Sequence, residues 1–146
     1  MKKVVSILLL AFAAIQFVFA GDIITKDAKR LPAEARNFIS RYFSKSPISH
    51  IKIESEILQG KTYEVLLTDR TVIEFDKKGK WVEVDCKRNP VPAVLVPVFA
   101  REYVKANFPN TVINKVERKH GGIEVELSND YSLKFNKKGE LVDIDD

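Results

Sequence analysis

The chain has 146 residues, 45% of them hydrophobic and 30% charged, with 24 Lys and Arg against 20 Asp and Glu for a net charge of +4. So even a balance carries no surplus for binding a polyanion, and nucleic acid is not an expected partner. A single cysteine, Cys86, rules out an internal disulfide, and two histidines, His50 and His120, are too few and too isolated to suggest a metal centre.

The first segment has three parts: Lys2 and Lys3, an apolar run from Val4 to Ala20, and the closing Val18-Phe19-Ala20. Positive start, apolar middle and small terminal residue are the plan of a secretory signal peptide over 1–20, with cleavage after Ala20. The run is short for a span of about 30 Å of hydrocarbon, so no stable membrane anchor is expected after cleavage. The mature protein is then periplasmic or secreted. Without Lys2 and Lys3 it carries 22 basic and 20 acidic residues.

Leu31-Pro32 opens a helix, since proline at the first helical position loses no needed hydrogen bond. Leu31, Ala35, Phe38, Ile39 and Tyr42 recur at spacings of three and four and form one apolar stripe. The pattern then changes to alternation. Ile51, Ile53 and Ile57 share one parity, and Tyr63, Val65 and Leu67 share another inward set with Glu64 and Leu66 outward. Asp69-Arg70 joins this strand to Thr71-Ile73-Phe75, although no glycine is present where a tight hairpin prefers one. Val82 and Val84 face inward on a fourth strand. Four antiparallel strands with one apolar face need a cover, which the helix supplies. Cys86 follows the last strand and reads as a small buried apolar residue.

The same order then recurs. Asn89 to Leu95 forms a proline-punctuated linker, Val96-Pro97 repeats Leu31-Pro32, and Phe99, Ala100, Tyr103, Val104 and Phe108 form a second stripe. Ile123, Val125 and Leu127 match Tyr63, Val65 and Leu67. Phe75-Asp76-Lys77-Lys78-Gly79 returns as Phe135-Asn136-Lys137-Lys138-Gly139, and over the eleven positions from each Phe six residues are identical. Asp or Asn followed by Lys-Lys-Gly suits a type I turn that ends on a left-handed glycine. The expected fold is α+β. It is a tandem repeat of a helix plus a four-stranded antiparallel meander (21–89 and 90–146), with the helices on one face of a curved sheet and the opposite face open.

Leu31-Pro32, Tyr42-Phe43, Tyr63-Glu64-Val65, Ile73-Glu74-Phe75-Asp76, Gly79-x-Trp81, Val96-Pro97, Phe108-Pro109, Val125-Glu126-Leu127 and Leu133-Lys134-Phe135 give the chain its likeness to a known group. It resembles the β-lactamase-inhibitor-like, PepSY-like family of exported Bacteroidetes proteins. The resemblance implies tandem units with an open sheet face. It implies no established activity, and fold alone assigns none.

Nothing in the sequence points to catalysis. No nucleophile elbow, phosphate-binding glycine loop or zinc-protease helix is present, and no cofactor is expected. Alternation places Glu64, Glu74 and Glu83 outward, together with Leu66, Val72 and Trp81. An aromatic and two aliphatic residues among charges resemble a partner-binding patch with Trp81 as its anchor. The expected function is therefore a non-enzymatic exported binding module that takes a protein partner, an inhibited enzyme among the options. The alternative is a periplasmic protein that binds a small ligand or an envelope component through the same face.

Overall fold

A computed structural model describes residues 21–58 and 60–146, so the expected signal peptide at 1–20 lies outside the described residues. Nine strands form one antiparallel sheet in sequence order: β1 (Ile23–Thr25), β2 (Ile48–Glu56), β3 (Gly60–Leu67), β4 (Val72–Phe75), β5 (Trp81–Asp85), β6 (Ile113–Lys119), β7 (Gly122–Leu127), β8 (Ser132–Asn136) and β9 (Leu141–Asp145). Helix α1 (Ala33–Tyr42) precedes β2, and helix α2 (Val98–Asn107) precedes β6. The sheet is open, with β1 and β9 at its edges. Short β1 adds an edge strand that the sequence pattern does not reveal; three residues are too few for alternation to register.

Each helix begins after a proline, Pro32 or Pro97, in extended backbone. Each ends where an aromatic N–H closes the last turn: Phe43 on Ile39 at 2.8 Å and Phe108 on Val104 at 2.7 Å. The stripes expected from sequence face the sheet. Phe38 of α1 meets Phe75 edge-on at 5.6 Å between centroids. Tyr103 of α2 meets Phe135 in the same way at 5.7 Å, and Phe99 lies 5.5 Å from Phe135.

Beneath the helices, one cross-strand row runs Ile51, Val65, Ile73, Val84, Val116, Val125 and Leu133 on β2 to β8. Every one of these is fully buried. β-branched and aliphatic side chains directly opposite one another on a pleated face pack efficiently, and burying each stabilises by about 1.5–3 kcal/mol.

The two Lys-Lys-Gly turns share one hydrogen-bond scheme. Asp76 Oδ1 accepts from the N–H groups of Lys78 and Lys80 at 2.8 and 3.0 Å. Asn136 Oδ1 accepts from Lys138 and Glu140, both at 3.0 Å. Gly79 and Gly139 take φ of 85° and 82°, as the turn requires. The β3–β4 and β7–β8 tips reach the left-handed region without glycine: Arg70 at 75° and Asp130 at 71°. An aspartate or asparagine before each one anchors the strain, since Asp69 accepts from Thr71 N and Asn129 from Tyr131 N.

Three inward or outward assignments change. β2 ends at Glu56, so Ile57 lies in the turn and is exposed. In the β4–β5 pairing Glu74 faces Glu83 and Phe75 faces Trp81, leaving Val82 as an extra residue in a β-bulge. A bulge reverses the alternation beyond it. Trp81 therefore turns to the helix side and is only 8% exposed, while Val82 leaves the core row. Trp81 stacks on Phe38, with centroids 6.1 Å apart, and Arg118 lies over the ring at 3.9 Å. It is a core residue. The same bulge recurs where Phe135 faces Leu141 and Val142 is the extra residue.

The segment between the two helix-strand groups is fastened to the sheet. Cys86 N donates to Asn114 O and Val91 N to Ile113 O, both at 2.8 Å. Cys86 is buried, as expected for a structural cysteine, and burial pushes its thiol up to about 11, so it stays neutral and unreactive.

Candidate functional site: a row of glutamates on the sheet

The face of the sheet away from α1 and α2 carries its own cross-strand row. Register places Lys52, Glu64, Glu74, Glu83, Glu117, Glu124, Lys134 and Asp143 directly opposite one another on β2 to β9. Five consecutive members are glutamates. Opposed residues in a sheet lie about 4.5–5.5 Å apart at Cβ, where like charges repel. A neutral explanation of the row would have each carboxylate offset by a lysine, and only part of it is. Lys115 Nζ lies 3.2 Å from Glu83, and Lys119 Nζ lies 3.0 Å from Glu124 and 3.7 Å from Glu117. Glu124 Oε2 is shut off from solvent without an aligned hydrogen bond, so this ionic contact is what offsets its charge. Among the described residues, no ion pair reaches Glu64 or Glu74.

The electrostatic consequence falls on Glu74. Burial is the main cause that raises its carboxyl above the ordinary range, and repulsion from Glu83, Glu64 and Glu117 adds to it. Burial also raises Glu83, against the pull of Lys115. Lys115 itself is disfavoured as a cation by burial, yet the Glu83 carboxylate more than compensates and raises it. The row is thus a strip of negative charge held partly out of water.

Beside it runs a second outward row: His50, Leu66, Val72, Asp85, Lys115, Glu126, Ser132 and Asp145. Leu66 and Val72 pair directly and are half-buried. Five of the six residues expected in a partner-binding patch therefore share this face: Glu64, Leu66, Val72, Glu74 and Glu83. Trp81 does not, because the bulge carries it to the other side. Glu117 and Glu124 complete the row but are not among the residues expected in the patch, although Glu124, with Glu126, reads as outward from sequence. Their outward parity is legible, but their register against Glu83 depends on the β5–β6 pairing, which no hairpin turn fixes.

At the β2–β5 end of the row is a cavity of about 570 Å³ whose lining includes Glu54, Glu64 and Glu74 together with Lys77, Lys78 and Lys80. Among the described residues, no group of three or more His, Cys, Asp or Glu is arranged to hold a metal ion. Nor is any helix among them long and apolar enough to cross a membrane.

The family described as "Putative beta-lactamase-inhibitor-like, PepSY-like" matches residues 61–143. A solved structure from Bacteroides vulgatus, described as "a putative periplasmic protein of unknown function", is 36% identical. It aligns over 86% of this chain and 100% of its own, with a TM-score of 0.83. A Bacteroides thetaiotaomicron structure, described as "a putative calcium-regulated periplasmic protein", is 42% identical over 86% of this chain and 97% of its own, with a TM-score of 0.81. A second B. vulgatus structure, also described as "a putative periplasmic protein", is 36% identical over the same shares, with a TM-score of 0.80. No curated protein matches the sequence.

Proposed function

This chain belongs to the PepSY-like, β-lactamase-inhibitor-like family, and from that premise we propose that it is an exported, non-enzymatic binding module whose open sheet face takes a basic surface of a partner protein. The observation that carries this reading is the unpaired stretch Glu64–Glu74 within the five-glutamate row. Like charges held side by side cost stability in the free protein, and a partner's Lys or Arg side chains laid across the row would relieve that cost. Leu66 and Val72 beside the row provide apolar contact next to the charged strip. The periplasm is the compartment of action, in keeping with the descriptions of the structural neighbours. We read the fold as two copies of one helix-plus-four-strand unit, so the row spans both copies and the binding face belongs to the pair.

The B. thetaiotaomicron neighbour is described as calcium-regulated. Calcium takes six to eight oxygens around one centre. Here the carboxylates are strung one per strand across the sheet, and among the described residues no group of three or more His, Cys, Asp or Glu is arranged to hold a metal ion. The row suits a spread of positive charge better than a single enclosed ion.

A second reading rests on the cavity at the end of the row. With both carboxylates and three lysines in its lining, it has the polarity for a small zwitterionic ligand. Native mass spectrometry of freshly purified protein separates the two readings, because a retained ligand adds a defined mass.

Capture from a periplasmic extract tests the principal reading. Proteins retained by the wild type and lost with Glu64→Gln/Glu74→Lys support it. Identical retention by both, with the double variant folded, rejects it.

A further inference from the structure

We propose that the outer edge of β9 is a second binding surface, which accepts an extended strand of a partner protein carrying alternating apolar and basic residues. The core-side row supplies the first argument. Its seven members from Ile51 to Leu133 are all 0% exposed, but the eighth, Ile144, pairs with Leu133 and is 43% exposed. Val142 beside it is 61% exposed. An apolar row that runs buried across seven strands and surfaces at the eighth lacks its next neighbour. Among the described residues, no strand pairs with the outer side of β9.

The inner part of the sheet shows what such a neighbour looks like. β5 and β9 are built alike. Ile73, Glu74 and Phe75 face Val84, Glu83 and Trp81, while Leu133, Lys134 and Phe135 face Ile144, Asp143 and Leu141, with a bulge at the same step. On β5 the outer side is filled by antiparallel β6, which sets Val116 against Val84, Lys115 against Asp85 and, as part of the glutamate row, Glu117 against Glu83. Val84 is thereby fully buried, and Lys115 also reaches Glu83. The positions corresponding to Glu83 and Asp85 on β9 are Asp143 and Asp145. Both are acidic, and both side chains are more than half exposed; they share one lysine, Lys134, whose Nζ lies 3.1 and 3.7 Å away, so two carboxylates face a single cation.

Charge selects the occupant. A strand with an apolar residue toward the helices and lysine or arginine toward the open face would cover Ile144 and meet Asp143 and Asp145. A second copy of the chain fits poorly: antiparallel pairing of β9 on itself about Asp143 would set two aspartates face to face. Acidic residues on an edge also discourage self-pairing in general, which narrows the partner to one of opposite charge.

The test uses the full chain and a synthetic peptide of residues 112–120, the β6 sequence, carrying Glu117→Lys because Glu117 would otherwise meet Asp143 as it meets Glu83, with a charge-reversed peptide as control. Hydrogen exchange and NMR titration should show saturable binding, with protection of amides in 141–145. Ile144→Lys and, separately, Asp145→Lys should weaken binding by at least about tenfold. Asp145 is exposed enough that its substitution leaves the fold intact. The proposal is overturned by no saturable binding at roughly 1 mM peptide, by protection confined to other strands, or by equal binding of the charge-reversed peptide. Concentration-dependent self-association abolished by Ile144→Lys would assign the edge to a second copy instead and likewise overturn it. Failure of this experiment leaves the glutamate row untouched, since that face is probed by other substitutions.

Discussion

Trp81 lies flat against Phe38, ring centroids 6.1 Å apart and planes inclined by 29°, and this contact ties β5 to α1. Its position follows from the bulge at Val82. Arg118 of β6 lies over the same ring, 3.9 Å from its centroid. One side chain thus joins a helix, the fifth strand and the sixth. Trp81→Ala should destabilise the protein by about 3–5 kcal/mol, as for other large aromatics removed from cores. Chemical denaturation measures this. A loss below about 1 kcal/mol would mean that the indole is not packed as described.

Gly79 and Gly139 occupy matching turns with nearly the same φ, yet they differ in what lies beside them. A Cβ on Gly79 would come within 2.8 Å of Pro32 Cβ and 3.0 Å of Ala35 N, at the fixed start of α1. On Gly139 its three nearest atoms would all belong to the Phe99 side chain, the closest at 3.0 Å. Both alanine variants pay the left-handed penalty of about 1–2 kcal/mol. Gly79→Ala pays more, because a helix start cannot yield as a side chain can. Thermal unfolding of the two variants checks the order, and equal losses would remove the distinction.

The glutamate row predicts an unusual dependence on pH. Glu74 and Glu83 both titrate above the ordinary carboxylate value of 4.5, chiefly through burial. Just above pH 4.5 the folded state therefore keeps protons that the unfolded chain releases. Their contribution favours folding at low pH and is lost as the pH rises through the folded-state values. Glu74→Gln removes the repulsion and should raise stability at pH 7 by about 0.2–1 kcal/mol. It should also flatten the profile between pH 4.5 and neutrality. Denaturant titrations across that range decide it; a destabilised Glu74→Gln protein would show that the charge is compensated after all.

Much of the fold was legible in the chain. The stripes Leu31 to Tyr42 and Phe99 to Phe108 and the alternations around Val65 and Val125 each state their own period. The Lys-Lys-Gly turns fix the strand pairs they join. What alternation could not show was a change in alternation: the bulge at Val82 depends on how β5 pairs with β4, and it moved Trp81 from the expected surface to the core. The candidate site was half visible for a related reason. Glu64, Glu74 and Glu83 sit on strands joined by hairpins, so their alignment follows from turns and parity. Glu117 and Glu124 join them only through the β5–β6 pairing, across a connection that includes all of α2.

The central claim is that the unpaired part of the glutamate row binds positive charge on a partner. Its most direct test is the affinity of a partner captured from the periplasm, measured by calorimetry for the wild type and for folded Glu64→Gln/Glu74→Lys. The expected result is at least a tenfold loss of affinity in the double variant, about 1.4 kcal/mol, with wild-type binding that weakens as salt is added. Equal affinities at every ionic strength would contradict the claim.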